Sequence, residues 1–204
     1  MARIASIVLS VFLGAVGLLA QGDDVLSRLD GFATGVKSMT CSFVQTKRMV
    51  LLYDDMVSHG RMAFLSPDRL SWVYQTPYEY RFVLNGDKVH VGNDKRSSTV
   101  NIAENKLFGT IARVMMNTVT GRLDDLKADF GISVKGDAPS RVVCLTPKRR
   151  EMKQMLRQVE LMLDEKTGTV TLIRLSEKND DVTEIVLKDI KLNVPIDETS
   201  FVIP

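Results

Sequence analysis

Short segments of alternating apolar and polar residues, each closed by a turn signal, run through most of this chain and restrict it to antiparallel sheet. In Arg69-Leu70-Ser71-Trp72-Val73-Tyr74-Gln75, the residues Leu70, Trp72 and Tyr74 share one face. Upstream, Val57 to Leu65 sets Met62 and Phe64 against Arg61 and Ala63, and Thr40 to Lys47 alternates in the same way. Ser66-Pro67-Asp68 and Thr76-Pro77 break the chain. Tyr80 to Leu84 and Lys88 to Val91 flank Asn85-Gly86-Asp87, a hairpin signal. Val50-Leu51-Leu52-Tyr53 reads as a further short strand, with Asp54-Asp55 as its turn. After residue 130 the pattern resumes in Gly131 to Val134, Ser140 to Pro147, Met155 to Leu163, Thr169 to Leu175 and Val182 to Leu192.

Two segments depart from this period. Asp23-Asp24 followed by Val25, Leu26, Leu29, Phe32 and Val36 has helical spacing and an acidic first turn, with Gly35 as a stop. Between Asn105 and Leu126, apolar residues recur at three- and four-residue steps through Leu107, Phe108, Ile111, Val114 and Met115, and Gly121 ends the run. No repeat and no linker divides the chain. The fold class expected is mainly β with covering helices: one large antiparallel sheet and a helical excursion.

The first 22 residues read differently. Arg3 is followed by an uncharged apolar stretch, and Ala20-Gln21-Gly22 gives the small-x-small pattern of a signal peptidase site. The expected organisation is a leader over 1–22 and one domain over 23–204, exported and soluble outside the cytoplasm. There Cys41 and Cys144 meet conditions that permit pairing, though small core thiols explain them equally well.

Composition excludes several functions. A net charge of +2, 6% aromatic residues and a single Trp over 204 residues leave no basic surface or stacking platform for nucleic acid. Lys148-Arg149-Arg150 reads as a solvated loop that could dock an acidic partner or anionic headgroups. Two histidines, His59 and His90, are too few for a multi-histidine zinc site, and both read as surface or edge residues. No H-E-x-x-H, C-x-x-C, G-x-S-x-G or phosphate-loop motif occurs, and the acidic pairs Asp54-Asp55, Asp124-Asp125 and Asp180-Asp181 fall at turns and helix surfaces. No catalytic residue, metal or cofactor is expected.

The ordered motifs resemble those of the periplasmic outer-membrane lipoprotein carriers, the LolA-like family. Ser42-Phe43-Val44-Gln45 is similar to that family's S-F-x-Q first strand, and Gly60 through Pro67 to its G-x-x-x-x-x-x-P strand. Trp72 through Pro77, Val83-Leu84-Asn85-Gly86-Asp87, Leu145-Thr146-Pro147-Lys148 and Asn193 through Phe201 follow in the family's order.

The resemblance implies an unclosed, strongly curved sheet, a half-barrel with an apolar concave face lidded by short helices. It implies a monomeric, non-enzymatic periplasmic chaperone. That chaperone takes acylated lipoproteins from an inner-membrane ABC exporter and passes them to an outer-membrane acceptor. The physics agrees, because acyl chains need only non-directional burial, at about 0.8 kcal/mol per CH₂. Met62, Phe64, Leu70, Trp72 and Tyr74 are the candidates for the sheet side of the cavity, and Leu107, Ile111 and Met115 for the lid. Family members often hold an Arg before the proline of the second strand, where it helps close the lid. Here that position is Ser66, and Arg69 is the candidate latch. Alternative readings are a lipid-sensing regulatory domain of the same fold and a carrier of another acylated lipid.

Overall fold

The computed structural model describes residue 26 and residues 31–137, 141–164 and 166–203. The expected leader lies outside the described residues. Eleven strands form one antiparallel sheet: β1 (Ser38–Arg48), β2 (Met56–Leu65), β3 (Arg69–Thr76), β4 (Tyr80–Asn85), β5 (Lys88–Gly92), β6 (Ser97–Asn101), β7 (Phe130–Lys135), β8 (Val142–Pro147), β9 (Leu156–Leu163), β10 (Val170–Glu177) and β11 (Val182–Leu192). Their order is β6-β5-β4-β3-β2-β1-β11-β10-β9-β8-β7, so first and last strands meet in the middle and the end strands β6 and β7 leave the sheet unclosed. Helix α1 (Lys106–Thr120) joins the two halves, and a short helix α2 (Arg150–Met155) precedes β9.

Local chemistry accounts for these boundaries. Gly86 adopts φ +61° in the turn between β4 and β5, a backbone region glycine enters without steric cost. Helix α1 begins where Gly109 N–H donates to the Asn105 carbonyl (3.1 Å) and stops at Gly121, φ +77°. Residues 31–34 are helical, and Gly35 N–H closes them on the Phe32 carbonyl (3.1 Å).

Register builds the inner face of the sheet row by row. Met39, Phe64, Leu70, Leu84 and Val89 make one cross-strand row. Cys41, Met62, Trp72 and Phe82 make the next, and Phe43, Gly60, Tyr74 and Tyr80 a third. Leu187, Ile185, Ile173, Leu161 and Val143 continue the buried surface through the other half. Leu26, Val36, Ala112, Val119, Leu123 and Leu126 belong to the same cluster, so the helical segments cover this face.

Three expectations are corrected and one is refined. Val50-Leu51-Leu52-Tyr53 is not a strand but part of the loop between β1 and β2, since four consecutive apolar residues suit a strand only where both faces are covered. Lys148-Arg149-Arg150 is exposed as expected but is not wholly loop: Arg150 begins α2, and the Arg149 guanidinium just before it reaches a buried carboxylate. His90 is buried rather than at the surface, its Nδ1 2.9 Å from Thr99 Oγ1. Met155 ends α2, and the strand begins at Leu156.

Cys41 and Cys144 are free and buried, on β1 and β8. Burial, helped by nearby Asp189, pushes the Cys41 thiol up to about 12 from 9.0. Alkylation of the folded protein at pH 8 should therefore leave Cys41 unmodified, with rapid reaction once denaturant is added, because only the thiolate attacks. The linked stability is fully present below the ordinary thiol value of 9.0 and falls as pH rises from there toward about 12, where an unfolded chain ionises first. A denaturation series across that interval reads it out.

Candidate functional site

The inner face carries an aromatic group around Phe43. Gly60 faces Phe43 across β1 and β2, and a Cβ on Gly60 would stand 2.3 Å from Phe43 Cζ, so the missing side chain makes room for the ring. The Phe43 ring stacks on Trp72 (centroids 4.5 Å, 29°) and meets Tyr74 edge-on at 5.1 Å. Tyr74 in turn lies 6.5 Å from Tyr80 and donates its hydroxyl to Gln45 Oε1 (2.9 Å). Burial pushes the Tyr74 phenol up, which keeps the hydroxyl a neutral donor.

Of the sequence-derived candidates, Met62, Phe64, Leu70 and Trp72 are buried side by side on this face, with Tyr74 half-buried beside them. Met115 of α1 packs against the same cluster. Ile111 differs: it is 36% exposed and stands at the margin of the stripe through which Ala112, Met115 and Val119 join the cluster. Leu107 lies within α1, but its side chain falls outside the described residues. Phe43 was missed among the site candidates. Its place in an alternating strand was visible, but only the pairing of β1 with β2 and β3 with β2 brings it against Trp72.

Arg69 lies on the outer face. Its Nη1 is 3.3 Å from Glu198 Oε2 and its guanidinium stands 5.6 Å from the Phe201 ring centroid, so among the described residues it fastens the short C-terminal helical turn Glu198–Phe201. That segment is tied elsewhere too. Asn193 accepts from Lys37 N–H (2.8 Å) and donates to the Gly35 carbonyl (3.1 Å), and Asn85 Nδ2 donates to the Phe201 carbonyl (3.1 Å). Phe201 is buried, whereas Glu198 is mostly exposed. Glu198→Ala should accordingly cost less than about 1 kcal/mol in chemical denaturation.

Helix α1 is held by different groups. Asp129, fully buried, lies 2.6 Å from Arg113 Nη2 on α1 and 2.5 Å from Arg149 Nε at the start of α2. Its own backbone carbonyl accepts from Lys148 N–H (2.8 Å). Ser66, where the resemblance places an Arg, donates its N–H to the Lys37 carbonyl (2.8 Å).

A cavity of about 770 Å³ lies on the outer face beneath residues 195–202, lined by Ser42, Arg61, Val73, Arg81 and Lys191 among others. Such charged walls do not suit hydrocarbon. Among the described residues no group of His, Cys, Asp and Glu could hold a metal, and no helix is long and apolar enough to cross a membrane. The arrangement on the inner face offers apolar contact and one aromatic group.

Comparison with known proteins agrees with this arrangement. A family model described as outer membrane lipoprotein carrier protein LolA matches residues 34–204. The chain is 26% identical over 196 residues to an outer-membrane lipoprotein carrier protein of Legionella pneumophila (strain Lens), covering 95% of this chain and 90% of that one. A LolA-superfamily protein from Nitrosomonas europaea shares the fold at a TM-score of 0.51 and 12% identity, covering 89% of this chain and 97% of that chain. MucB, in the Pseudomonas aeruginosa MucA/MucB complex, also shares it, at a TM-score of 0.51 and 14% identity over 89% of this chain and 60% of that chain.

Proposed function

Because the chain belongs to the outer membrane lipoprotein carrier family, we propose that it is a periplasmic carrier that buries the acyl chains of lipoproteins against its inner face and shuttles them from inner to outer membrane. The observation that carries this reading is the continuous apolar surface of Phe43, Met62, Phe64, Leu70 and Trp72 beneath a separate helical cover. Acyl chains gain about 0.8 kcal/mol for each CH₂ buried there and require no directional partner. In the closed arrangement these side chains are already covered, so loading requires α1 to move. Met115, packed at the edge of the cluster, is where an entering chain would displace protein contacts. An inner-membrane exporter and an outer-membrane acceptor are the partners such a cycle needs, and no chemical step by the carrier itself is involved.

The test is mass spectrometry of whatever co-purifies with the protein from its native envelope. Acylated protein bound to the parent and lost from Met115→Glu supports the reading, since a charge in the apolar path disfavours hydrocarbon. Free lipid alone in the preparation identifies a carrier of another lipid. An empty protein that retains a membrane regulator would replace the shuttle with a sensor.

A further inference from the structure

One end of the sheet displays apolar side chains that its core does not use. The loop between β1 and β2 presents Val50, Leu51, Leu52 and Tyr53 outward, with Leu51 95% exposed and Tyr53 wholly so. Met56 and Val57 continue the patch at the start of β2, and Tyr78 and Tyr80 extend it on the hairpin between β3 and β4. Pairing of Arg48 with Val182, Lys47 with Met56 and Glu177 with Leu156 puts the start of β9 and the turn between β10 and β11 at the same end. Among the described residues, only Phe32, Ile111 and Val202 are large hydrophobics exposed elsewhere, so the exposure is concentrated rather than scattered.

The loop is held in this pose by specific bonds. Val50 N–H donates to Asp181 Oδ1 (2.9 Å), and that buried carboxylate also accepts from Asn179 Nδ2 (2.8 Å). Arg48 Nε bridges to Asp55 Oδ2 (3.1 Å) across the loop's base, and Leu52 N–H donates to the Met49 carbonyl (3.0 Å). A buried acidic side chain thus fixes an apolar loop in water.

Cations border it. Lys178 N–H donates to the Met155 carbonyl (2.9 Å), which sets the β10–β11 turn beside α2 and its exposed Arg150 and Lys153. None of Arg150, Lys153 and Lys178 has a carboxylate partner among the described residues, although Asp54, Glu79 and Glu151 stand at the same rim. Projecting leucines, interfacial tyrosines and unpaired cations match the layered chemistry of an anionic bilayer surface, in which hydrocarbon lies beneath the headgroups.

We propose that this rim docks the protein on anionic membrane, with the β1–β2 loop entering the headgroup layer and Arg150, Lys153 and Lys178 meeting lipid phosphates. The series Tyr80, Tyr74, Phe43 and Trp72 then leads from the lipid surface into the interior by ring contacts of 6.5, 5.1 and 4.5 Å. Docking does not rest on the carrier reading, because it is measured on cargo-free protein.

Flotation of the full chain with vesicles of phosphatidylglycerol and phosphatidylcholine tests it, with phosphatidylcholine alone as comparison. The parent should float with the mixed vesicles, and the Leu51→Asp, Leu52→Asp variant should partition at least about tenfold more weakly. Arg150→Glu with Lys153→Glu should lose only the preference for anionic lipid. Both variants change exposed residues, and thermal melting matched to the parent verifies their fold. A dye on Tyr53→Cys should shift to the blue on vesicles, giving a readout without the charged substitutions. Failure of the parent to float, or equal flotation of the loop variant, overturns the proposal. So does a loop that retains a membrane protein but not lipid. Normal vesicle binding with no acyl cargo would instead count against the carrier reading alone.

Discussion

A variant with both Arg113 and Arg149 replaced by methionine should lose about 3–5 kcal/mol of stability, because it leaves the Asp129 carboxylate buried without a cation. The carboxylate has no exposure to water, whereas the two guanidinium groups that meet it are about half exposed. This asymmetry predicts an order among variants. Asp129→Asn removes the charge that cannot reach solvent and frees two arginines that can, so its cost should be on the order of 1–2 kcal/mol. Adding Asp129→Asn to the double arginine variant should then recover stability rather than lose more. Thermal and urea denaturation measure all three. Equal stability of the double arginine variant and Asp129→Asn would show that the cations do not compensate the buried charge. The same cluster ties α1 to the start of α2, so the arginine variant should also release bound cargo faster.

Gly60→Val should cost about 2–3 kcal/mol through overpacking and disassemble the aromatic group. The added Cβ would stand 2.2 Å from the Val73 carbonyl oxygen and 2.3 Å from Phe43 Cζ. The ring can rotate away, but the carbonyl belongs to a paired strand and cannot. Combining Gly60→Val with Phe43→Ala should relieve only the ring's part of the clash. Near-ultraviolet circular dichroism of Trp72, which loses its stacked neighbour, reports the change directly. An unaltered spectrum with full stability would mean that the strands separate readily at Gly60.

Much of the sheet was legible in the sequence because period-2 alternation is local. Leu70, Trp72 and Tyr74 announce their shared face without any knowledge of neighbours, and Asn85-Gly86-Asp87 announces its turn. What alternation cannot supply is the partner across the sheet. Phe43 joined the site only through register, and nothing local to Asp129 signals the two arginines, Arg113 and Arg149, that the fold brings to it. The edge strand β6, Ser97–Asn101, carries a single apolar residue, Val100, too few to show alternation. Val50 to Tyr53 misled for the opposite reason: apolar side chains without alternation look like a buried strand, and only the fold shows that nothing covers them. Ile111 followed helical spacing but stands at the exposed margin of the buried stripe, because spacing alone does not fix how wide a stripe the sheet covers.

The position of β1 beside β11 has a consequence for how the molecule comes into being. Met39 pairs with Leu192, so the seam at the middle of the sheet joins nearly the two ends of the described chain. The hairpins of β1 through β6 can form from neighbouring residues, yet β1 keeps an open edge until β11 pairs with it. Closing so long a loop slows folding, and an unpaired edge invites association with other chains. The central seam therefore forms only once both halves of the sheet are present, whichever half forms first.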